Sequence, residues 1–144
     1  MTPQDVPAGP LLVDTNVFSW LHERRHRYVE FGALIRGHGL AVSFATVGEL
    51  RAGYLIAGVG ARRTVALNAA LARFVVLMPN SGVVEQWAAL YARFRDRLKG
   101  GGVNDMWTAA CALSYRMPVV TDDLNDFGLM AAEFAGLRLV HPDL

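Results

Sequence analysis

The chain has 144 residues, about the length of one domain, and 53% of them are hydrophobic, which is enough for a single core. Its longest segment without Asp, Glu, Lys or Arg runs from Gly37 to Gly48 and is too short to span a bilayer. The net charge of +1 does not by itself indicate a polyanionic ligand, and a lone cysteine, Cys111, excludes an internal disulfide.

The first ten residues, MTPQDVPAGP, have neither a basic n-region nor an apolar h-region. A secretory signal is therefore not predicted, and we expect the protein to act in the cytoplasm. We expect residues 1–10 to be a flexible N-terminal leader and residues 11–144 to form one domain.

Short apolar runs alternate with segments of helical periodicity along the rest of the chain. This alternation is typical of a parallel sheet covered by helices on both faces. The expected strands are 11–14, 39–43, 74–78, 118–121 and 137–140. The expected helices are 16–21, 28–35, 46–56, 61–73, 82–98 and 103–115, with a flexible break at 100–102 before the last of them.

Four acidic residues are expected to meet at one end of this sheet. Asp14 and Asp123 each follow a short apolar run, whereas Glu49 and Asp105 lie in helical segments. Ligands of such sheets bind beyond the carboxyl ends of the strands. Buried carboxylates repel one another unless they protonate or a cation neutralises them, and a set of oxygen ligands without Cys or His suits Mg²⁺ or Mn²⁺. A hard-cation site is therefore the leading hypothesis.

Each acid also has a structural explanation. Asp14 could cap the helix that follows its strand, and Asp105 could favour the positive end of its own helix. The acids of TDDLNDF could belong to a polar loop.

Glu49 is harder to explain structurally. The residues three, four and seven positions after it are Ala52, Gly53 and Ile56, so we expect its helix face to pack without a basic partner. A carboxylate on such a face is costly unless it meets a cation or protonates, which favours a functional role.

Four segments together resemble the motifs of the PIN-domain nucleases, specifically the toxins of VapBC-type toxin–antitoxin pairs. They are LLVDTNVF, TVGEL, NDMWTAACAL and PVVTDDLNDF, in this order, and they cover nearly the whole chain after the leader. The resemblance implies a three-layer α/β/α fold with a short parallel sheet. It also implies a homodimer, cleavage of RNA with Mg²⁺ or Mn²⁺, and inhibition by a small antitoxin.

The resemblance also assigns roles to individual residues. It implies that the catalytic and metal-binding acids are Asp14, Glu49, Asp105 and Asp123, with Asn16 and Thr121 as supporting polar residues. Relatives differ in which acid of the last motif engages the metal. Asp122 and Asp126 therefore compete with Asp123, and Asp126 is a possible additional acid if a helix begins near Leu124. We expect Asp122 to point away from the site.

A divalent ion at these acids would activate water near neutral pH and polarise the scissile phosphoryl oxygens, so no protein nucleophile is required. Asn16 could orient Asp14, and Thr121 could donate its hydroxyl to a carboxylate or a phosphate oxygen. Both could equally be helix-cap and strand-end residues. Whether one or two ions bind stays open, as do the target RNA and its sequence.

Partner surfaces are less defined by the sequence. Clustered arginines suit phosphate contacts but could be solvated helix faces, and Trp20, Tyr54 and Trp107 are RNA platforms or core residues. An antitoxin could place an apolar helix in a groove and extend a basic side chain towards the acids. We expect that groove on the helices that carry Trp20, Leu21, Phe31, Val47 and Tyr54.

Other functional classes fit less well. A receiver-like domain requires a lysine at a strand end, but the only lysine, Lys99, ends a predicted helix. A phosphatase with an aspartyl nucleophile requires an acid two residues after Asp14, where Asn16 stands. The alternative that remains is a PIN-fold protein that binds or processes RNA outside a toxin–antitoxin system.

Overall fold

The computed structural model describes residues 1–99 and 102–144 and contains a five-stranded parallel sheet in the order β3-β2-β1-β4-β5. The strands are β1 (Leu11–Val13), β2 (Leu40–Ser43), β3 (Val75–Leu77), β4 (Val119–Val120) and β5 (Leu139–Val140). Leu12 is in register with Ala41 on one side and with Val119 on the other, so β1 is the central strand. The predicted parallel sheet is confirmed.

Helices connect the strands. In the described parts of the chain they are α1 (Thr15–Glu23), α2 (Tyr28–Ile35), α3 (Phe44–Ala57), α4 (Ala61–Leu71), α5 (Ser81–Phe94), α6 (Val103–Tyr115) and α7 (Asp126–Glu133). Of the predicted glycine break, Gly100 and Gly101 lie outside the described residues. Gly102 precedes α6 in a left-handed conformation, with φ of 43°.

The two faces of the sheet carry separate cores because successive strand residues point to opposite sides. Leu12 packs in a cluster with residues of α5, α6 and α7, whereas Leu11 and Val13 pack with residues of α1, α2, α3 and α4. This arrangement confirms the three-layer α/β/α fold. Cys111 is fully buried in the first cluster.

Two helices begin directly where strands end. Asp14 follows β1 and accepts the backbone N–H of Asn16, while Ser43 ends β2 and accepts the N–H of Thr46. These side chains satisfy amide groups that the first helical turn leaves free. Both helices therefore start at the carboxyl edge of the sheet, which is the edge that gathers the acids.

Helix α5 is shorter than predicted, since it ends at Phe94 rather than near residue 98. The backbone turns there, with the N–H of Arg97 donating to the carbonyl of Phe94. Beyond the turn, the N–H of Lys99 donates to the Asp126 carboxylate at 3.1 Å. Contacts with α7 thus compete with continuation of the helix.

The residues before β1 also have structure. Pro3–Asp5 forms a 3₁₀ turn, and the side chain of Val6 is buried in the cluster that includes Leu11. Among the described residues, no helix has the length and apolar character needed to cross a membrane.

Candidate metal centre

Three carboxylates from the last two helical segments converge at the carboxyl edge of the sheet. Asp105 lies in the first turn of α6, Asp123 follows β4, and Asp126 is the first residue of α7. One oxygen from each lies within 4.8 Å of the others. Of the acids considered from sequence, these three form the tightest group among the described residues.

Backbone amides hold two of these acids in place. Asp123 Oδ1 accepts the N–H groups of Asn125 and Asp126, both at 2.9 Å, and so fixes the turn into α7. Asp126 is buried, and its Oδ1 accepts the N–H of Lys99. Because these donors are backbone groups, the positions of both carboxylates are set by the fold.

Asp14 is more buried than Glu49, Asp105 and Asp123, the other three acids that the resemblance assigns to the metal, with 6% of its surface exposed. Its Oδ2 accepts the Thr121 hydroxyl at 2.5 Å, and its Oδ1 accepts the N–H of Asn16 at 3.0 Å. Burial raises the pKa of Asp14 to about 7, and the charges of Asp122 and Asp105 raise it too, although both hydrogen bonds oppose the shift. A nearby cation would restore its ionised form.

The pKa of Asp105 is raised by burial and by four neighbouring acids. Burial raises its pKa to about 7, and the charges of Glu49, Asp123, Asp126 and Asp122 act in the same direction. Asp105 is therefore close enough to the acid of α3 and to the acids that follow β4 for their charges to act on it.

Glu49 is half-buried on α3 and faces Thr15 at the start of α1. The Thr15 hydroxyl lies 3.1 Å from Glu49 Oε1 and 2.9 Å from the Thr46 hydroxyl. Burial raises the pKa of Glu49, and the hydrogen bond from Thr15 lowers it. Glu49 and Asp14 are outside the tightest group, but both interact electrostatically with Asp105. The charge of Glu49 raises the pKa of Asp105, and the charge of Asp105 raises the pKa of Asp14.

The helix face that Glu49 shares does not pack as predicted, so that prediction was wrong. Ala52, Gly53 and Ile56, which were expected to pack, are exposed, and Ile56 has 87% of its surface accessible. The first turns of α3 pack on the domain, but its last turns extend beyond it. Glu49 is desolvated by its neighbours at the sheet edge.

Asp122 does not point away from the site, so that expectation was also wrong. The Asn16 side-chain amide lies 3.5 Å from Asp122 Oδ2, whereas the other oxygen, Oδ1, is buried without a hydrogen-bond partner among the described residues. Burial raises the pKa of Asp122. Asn16 therefore contacts Asp14 through its backbone and Asp122 through its side chain.

These residues fit a divalent cation. Neighbouring ligands of an octahedral Mg²⁺ lie about 3 Å apart and opposite ligands about 4.2 Å apart, so three oxygens that all lie within 4.8 Å of one another are close enough to converge on one ion. The ligands are carboxylate oxygens, which Mg²⁺ and Mn²⁺ prefer. One oxygen of Asp122 is buried without a hydrogen-bond partner among the described residues, and burial raises the pKa of Asp14 and Asp105, so the ionised form of these acids is costly unless a cation neutralises it.

Sequence reasoning missed three residues that organise the site. Thr15 and Thr46 join Glu49 to the ends of β1 and β2, and Lys99 fixes Asp126 through its backbone. The position of Thr15 was predictable from the sequence, since it directly follows Asp14 at a predicted strand end. The contact of Lys99 was not predictable, because it uses the backbone N–H, which almost any residue at that position would offer.

The expected groove for an antitoxin needs correction. Phe31 is fully buried and packs against Trp20 and His141, so it cannot line a surface groove. Trp20, Leu21, Val47 and Tyr54 are half-buried and contribute to the same core cluster. Trp107 is also half-buried and stacks on Trp87, with ring centroids 4.7 Å apart.

Several of the clustered arginines serve the fold. Arg27 pairs with Glu30 and Asp143, and both Arg93 and Arg97 pair with Glu133 on α7. These side chains are largely engaged at the surface and are weak candidates for phosphate binding.

Comparisons with known proteins agree with this geometry. The PIN domain family matches residues 11–132. Ribonuclease VapC4 of Mycobacterium tuberculosis is 33% identical over 121 residues, which cover 83% of this chain and 89% of that protein. Ribonuclease VapC5 of the same organism is 35% identical over 131 residues, covering 86% and 89% respectively.

Solved structures show the same fold. The VapBC-5 toxin–antitoxin structure of M. tuberculosis matches with a TM-score of 0.67 and 28% identity, over 94% of this chain and 99% of that chain. VapBC2 of Rickettsia felis, solved with a DNA fragment from its promoter, matches with a TM-score of 0.72 and 17% identity over 91% and 97%. The chain belongs to the PIN-domain family, together with the VapC ribonucleases.

Proposed function

We propose that this protein is a Mg²⁺- or Mn²⁺-dependent endoribonuclease and the toxin of a type II toxin–antitoxin pair. The observation that carries the proposal is the convergence of Asp105, Asp123 and Asp126 within 4.8 Å at the carboxyl edge of the sheet. The similarity to two proteins named as ribonucleases supports RNA as the substrate. Its site of action would then be the cytoplasm, where the RNA is.

Asp105, Asp123 and Asp126 are the residues that would hold the ion. When bound, a divalent ion lowers the pKa of a water ligand and polarises phosphoryl oxygens, so it supplies both nucleophile and electrophilic activation. Asp14, fixed by Thr121 and Asn16, adds negative charge beside the three ligands. Burial raises the pKa of Glu49, so its carboxylate is a stronger base than that of an exposed glutamate, and Thr15 orients it through Oε1.

A small antitoxin is the proposed partner. The VapBC structures that this chain resembles are toxin–antitoxin complexes. On this chain, Leu55 and Ile56 on the last turns of α3 expose 83% and 87% of their surfaces, close in sequence to Glu49. We propose that apolar residues of the antitoxin cover them and that a basic side chain reaches towards Glu49 and Asp14.

A homodimer is the proposed assembly. Strand β3 is an edge strand, and Val75, Val76 and Met78 on and beside it expose 63%, 38% and 59% of their surfaces. An exposed apolar edge is typical of a surface that pairs with another chain. Replacing Val75 and Met78 by Lys should then shift the mass measured by light scattering from dimer to monomer.

The test is cleavage of RNA by the purified protein. We expect cleavage with Mg²⁺ or Mn²⁺, none in EDTA, and recovery when the metal is restored. Asp126→Asn should abolish cleavage, whereas the control Asp96→Asn, at a side chain that is 86% exposed on the surface, should not. Full activity in EDTA would contradict the proposal.

A further inference from the structure

A cleft of about 320 Å³ runs along α3 from Glu49, one of the acids at the carboxyl edge of the sheet. Thr15 and Glu49 line the end next to the acids, and Tyr54, Val59 and Arg63 line the other end. Gly53 lies between them on the helix wall. We call this feature the Tyr54 cleft. It connects one of the predicted catalytic acids to a surface that the reaction chemistry described above does not use.

The width of the cleft depends on Gly53. A Cβ placed on this residue would meet no heavy atom within 4 Å, so the space beside it is open. Gly53 lies inside α3, where glycine destabilises a helix relative to alanine and where the backbone does not require it. A side chain at this position would occupy the cleft without disturbing the fold.

The outer end of the cleft is positively charged. The Arg63 guanidinium carbon lies 5.6 Å from the centroid of the Tyr54 ring. Arg51 lines an adjoining pocket that also includes Tyr54 and Val59. Among the residues that the structure describes, neither Arg51 nor Arg63 forms an ion pair within 4.0 Å, in contrast to Arg27, Arg93 and Arg97.

We propose that the Tyr54 cleft is a nucleotide subsite for single-stranded RNA. A nucleotide next to the cleaved phosphodiester places its base against the Tyr54 ring, and its phosphate is bound by Arg63. Stacking of bases on aromatic rings together with cationic contacts to phosphates is the common mode of single-strand recognition. This inference rests on the proposed ribonuclease function and adds the position of the substrate.

The charge pattern of this cleft suits RNA. The guanidinium groups at the outer end, which form no ion pair among the described residues, attract phosphate. The acidic end accepts a phosphodiester only together with a cation, which the proposed metal centre supplies. A polyanion that meets a cation at one end and Arg63 at the other is complementary to the whole cleft.

The proposal is tested by measuring the affinity of the protein for a labelled single-stranded RNA oligonucleotide of mixed sequence. Ca²⁺ replaces Mg²⁺ in this measurement to prevent cleavage of the RNA. Gly53→Leu, which fills the cleft, and Tyr54→Leu, which removes the ring, should each weaken binding by about tenfold or more. Tyr54→Phe keeps the ring and should bind like the wild-type protein. Arg63→Gln should weaken binding and reduce its dependence on salt concentration.

Gly48→Leu is the matched control. Gly48 is also a helical glycine of α3 with open space around its Cβ position, but it does not line the cleft. Its substitution should leave RNA affinity unchanged. Every variant should also retain the Mn²⁺ affinity of the wild-type protein and a single cooperative thermal unfolding transition, which shows that the acidic centre and the fold are intact.

If Gly53→Leu and Tyr54→Leu bind RNA as tightly as the wild-type protein does, the proposed subsite is wrong. If these two variants instead lose only the binding of an inhibitory protein, the cleft receives a peptide and the proposal is wrong. If the cleft variants lose RNA binding but the wild-type protein shows no metal-dependent cleavage, the ribonuclease function is refuted and the subsite is still supported. Metal-dependent cleavage that all cleft variants retain at the wild-type rate would refute the subsite alone.

Discussion

Thr121 and Asp14, which are 107 positions apart in sequence, share a hydrogen bond of 2.5 Å at the carboxyl edge of the sheet. Each follows a strand, and β1 and β4 are neighbours, so their ends meet. The same Thr121 oxygen accepts the N–H of Asp123 at 3.0 Å. One hydroxyl group therefore connects the most buried of the four motif acids to the loop that carries the acids of the last motif.

Replacing Thr121 by Val should test this connection, because Val has nearly the same shape and lacks the hydroxyl. We expect the free energy of unfolding to fall by about 1–3 kcal/mol, since Asp14 and the Asp123 amide both lose a partner. The pKa of Asp14 should rise further. Chemical denaturation of Thr121→Val beside Thr121→Ser measures the effect. Equal stability of the two variants would show that the hydroxyl is unimportant.

The stability of the metal-free protein should fall as pH rises. The folded-state pKa of Asp14 and of Asp105 is about 7, against an ordinary value of 3.8, so folding favours the protonated acids. The free energy of unfolding that these two protonated acids contribute is fully present below pH 3.8 and is lost as pH rises through about 7. For Asp14, which is almost fully buried, the loss is on the order of 4 kcal/mol.

Thermal unfolding in EDTA at a series of pH values checks this prediction. With saturating Mg²⁺ or Mn²⁺ the decline should flatten, because the ion favours the ionised acids. A metal-free protein whose stability increases steadily from pH 5 to about 8 would contradict the assigned pKa directions.

The acids after β4 should differ in their effect on metal affinity. Asp123→Asn keeps an oxygen that accepts the Asn125 and Asp126 amides, so the turn survives while the ligand charge is lost. Asp123→Asn and Asp126→Asn should weaken Mn²⁺ binding beyond the roughly 10–100-fold typical of supporting residues, and Asp122→Asn should remain within that range. Calorimetry can rank the three. The largest loss in Asp122→Asn would assign the ligands differently.

The sheet and most helices were predictable from sequence because local patterns determine them. Apolar runs bounded by Gly, Pro and Asp define the strands, and capping residues such as Asp14 mark where helices begin. The end of α5 was not predictable, because it depends on contacts of Arg97 and Lys99 with α7 rather than on local propensity.

The candidate site was predictable only in part. The strand ends locate Asp14 and Asp123, and the topology brings Asp105 to the same edge. The orientation of Asp122 and the exposure of the α3 face below Glu49 depend on packing between distant segments. A helical pattern identifies residues that share a face, but it cannot tell whether the domain covers that face, as Ile56 demonstrates.

The exposed turn of α3 leads to a prediction about the partner. Replacing Ile56 by Ser should weaken binding of the antitoxin and leave RNA cleavage unchanged, because this side chain lies outside the acidic centre and has 87% of its surface exposed. Inhibition titrations with the co-expressed antitoxin measure the effect. Val84→Ser on α5, where 48% of the surface is exposed, provides a control. Equal inhibition of both variants would place the antitoxin elsewhere.

The group around Asp105 is proposed to bind the divalent ion on which RNA cleavage depends. The most direct test of this proposal is Mn²⁺ affinity and RNA cleavage, measured on the same preparations of the wild-type protein, Asp105→Asn and Asp96→Asn. We predict that Asp105→Asn loses metal binding and cleavage together while remaining folded, and that Asp96→Asn keeps both. Cleavage by Asp105→Asn at the wild-type rate, or unchanged Mn²⁺ affinity in that variant, would contradict the account.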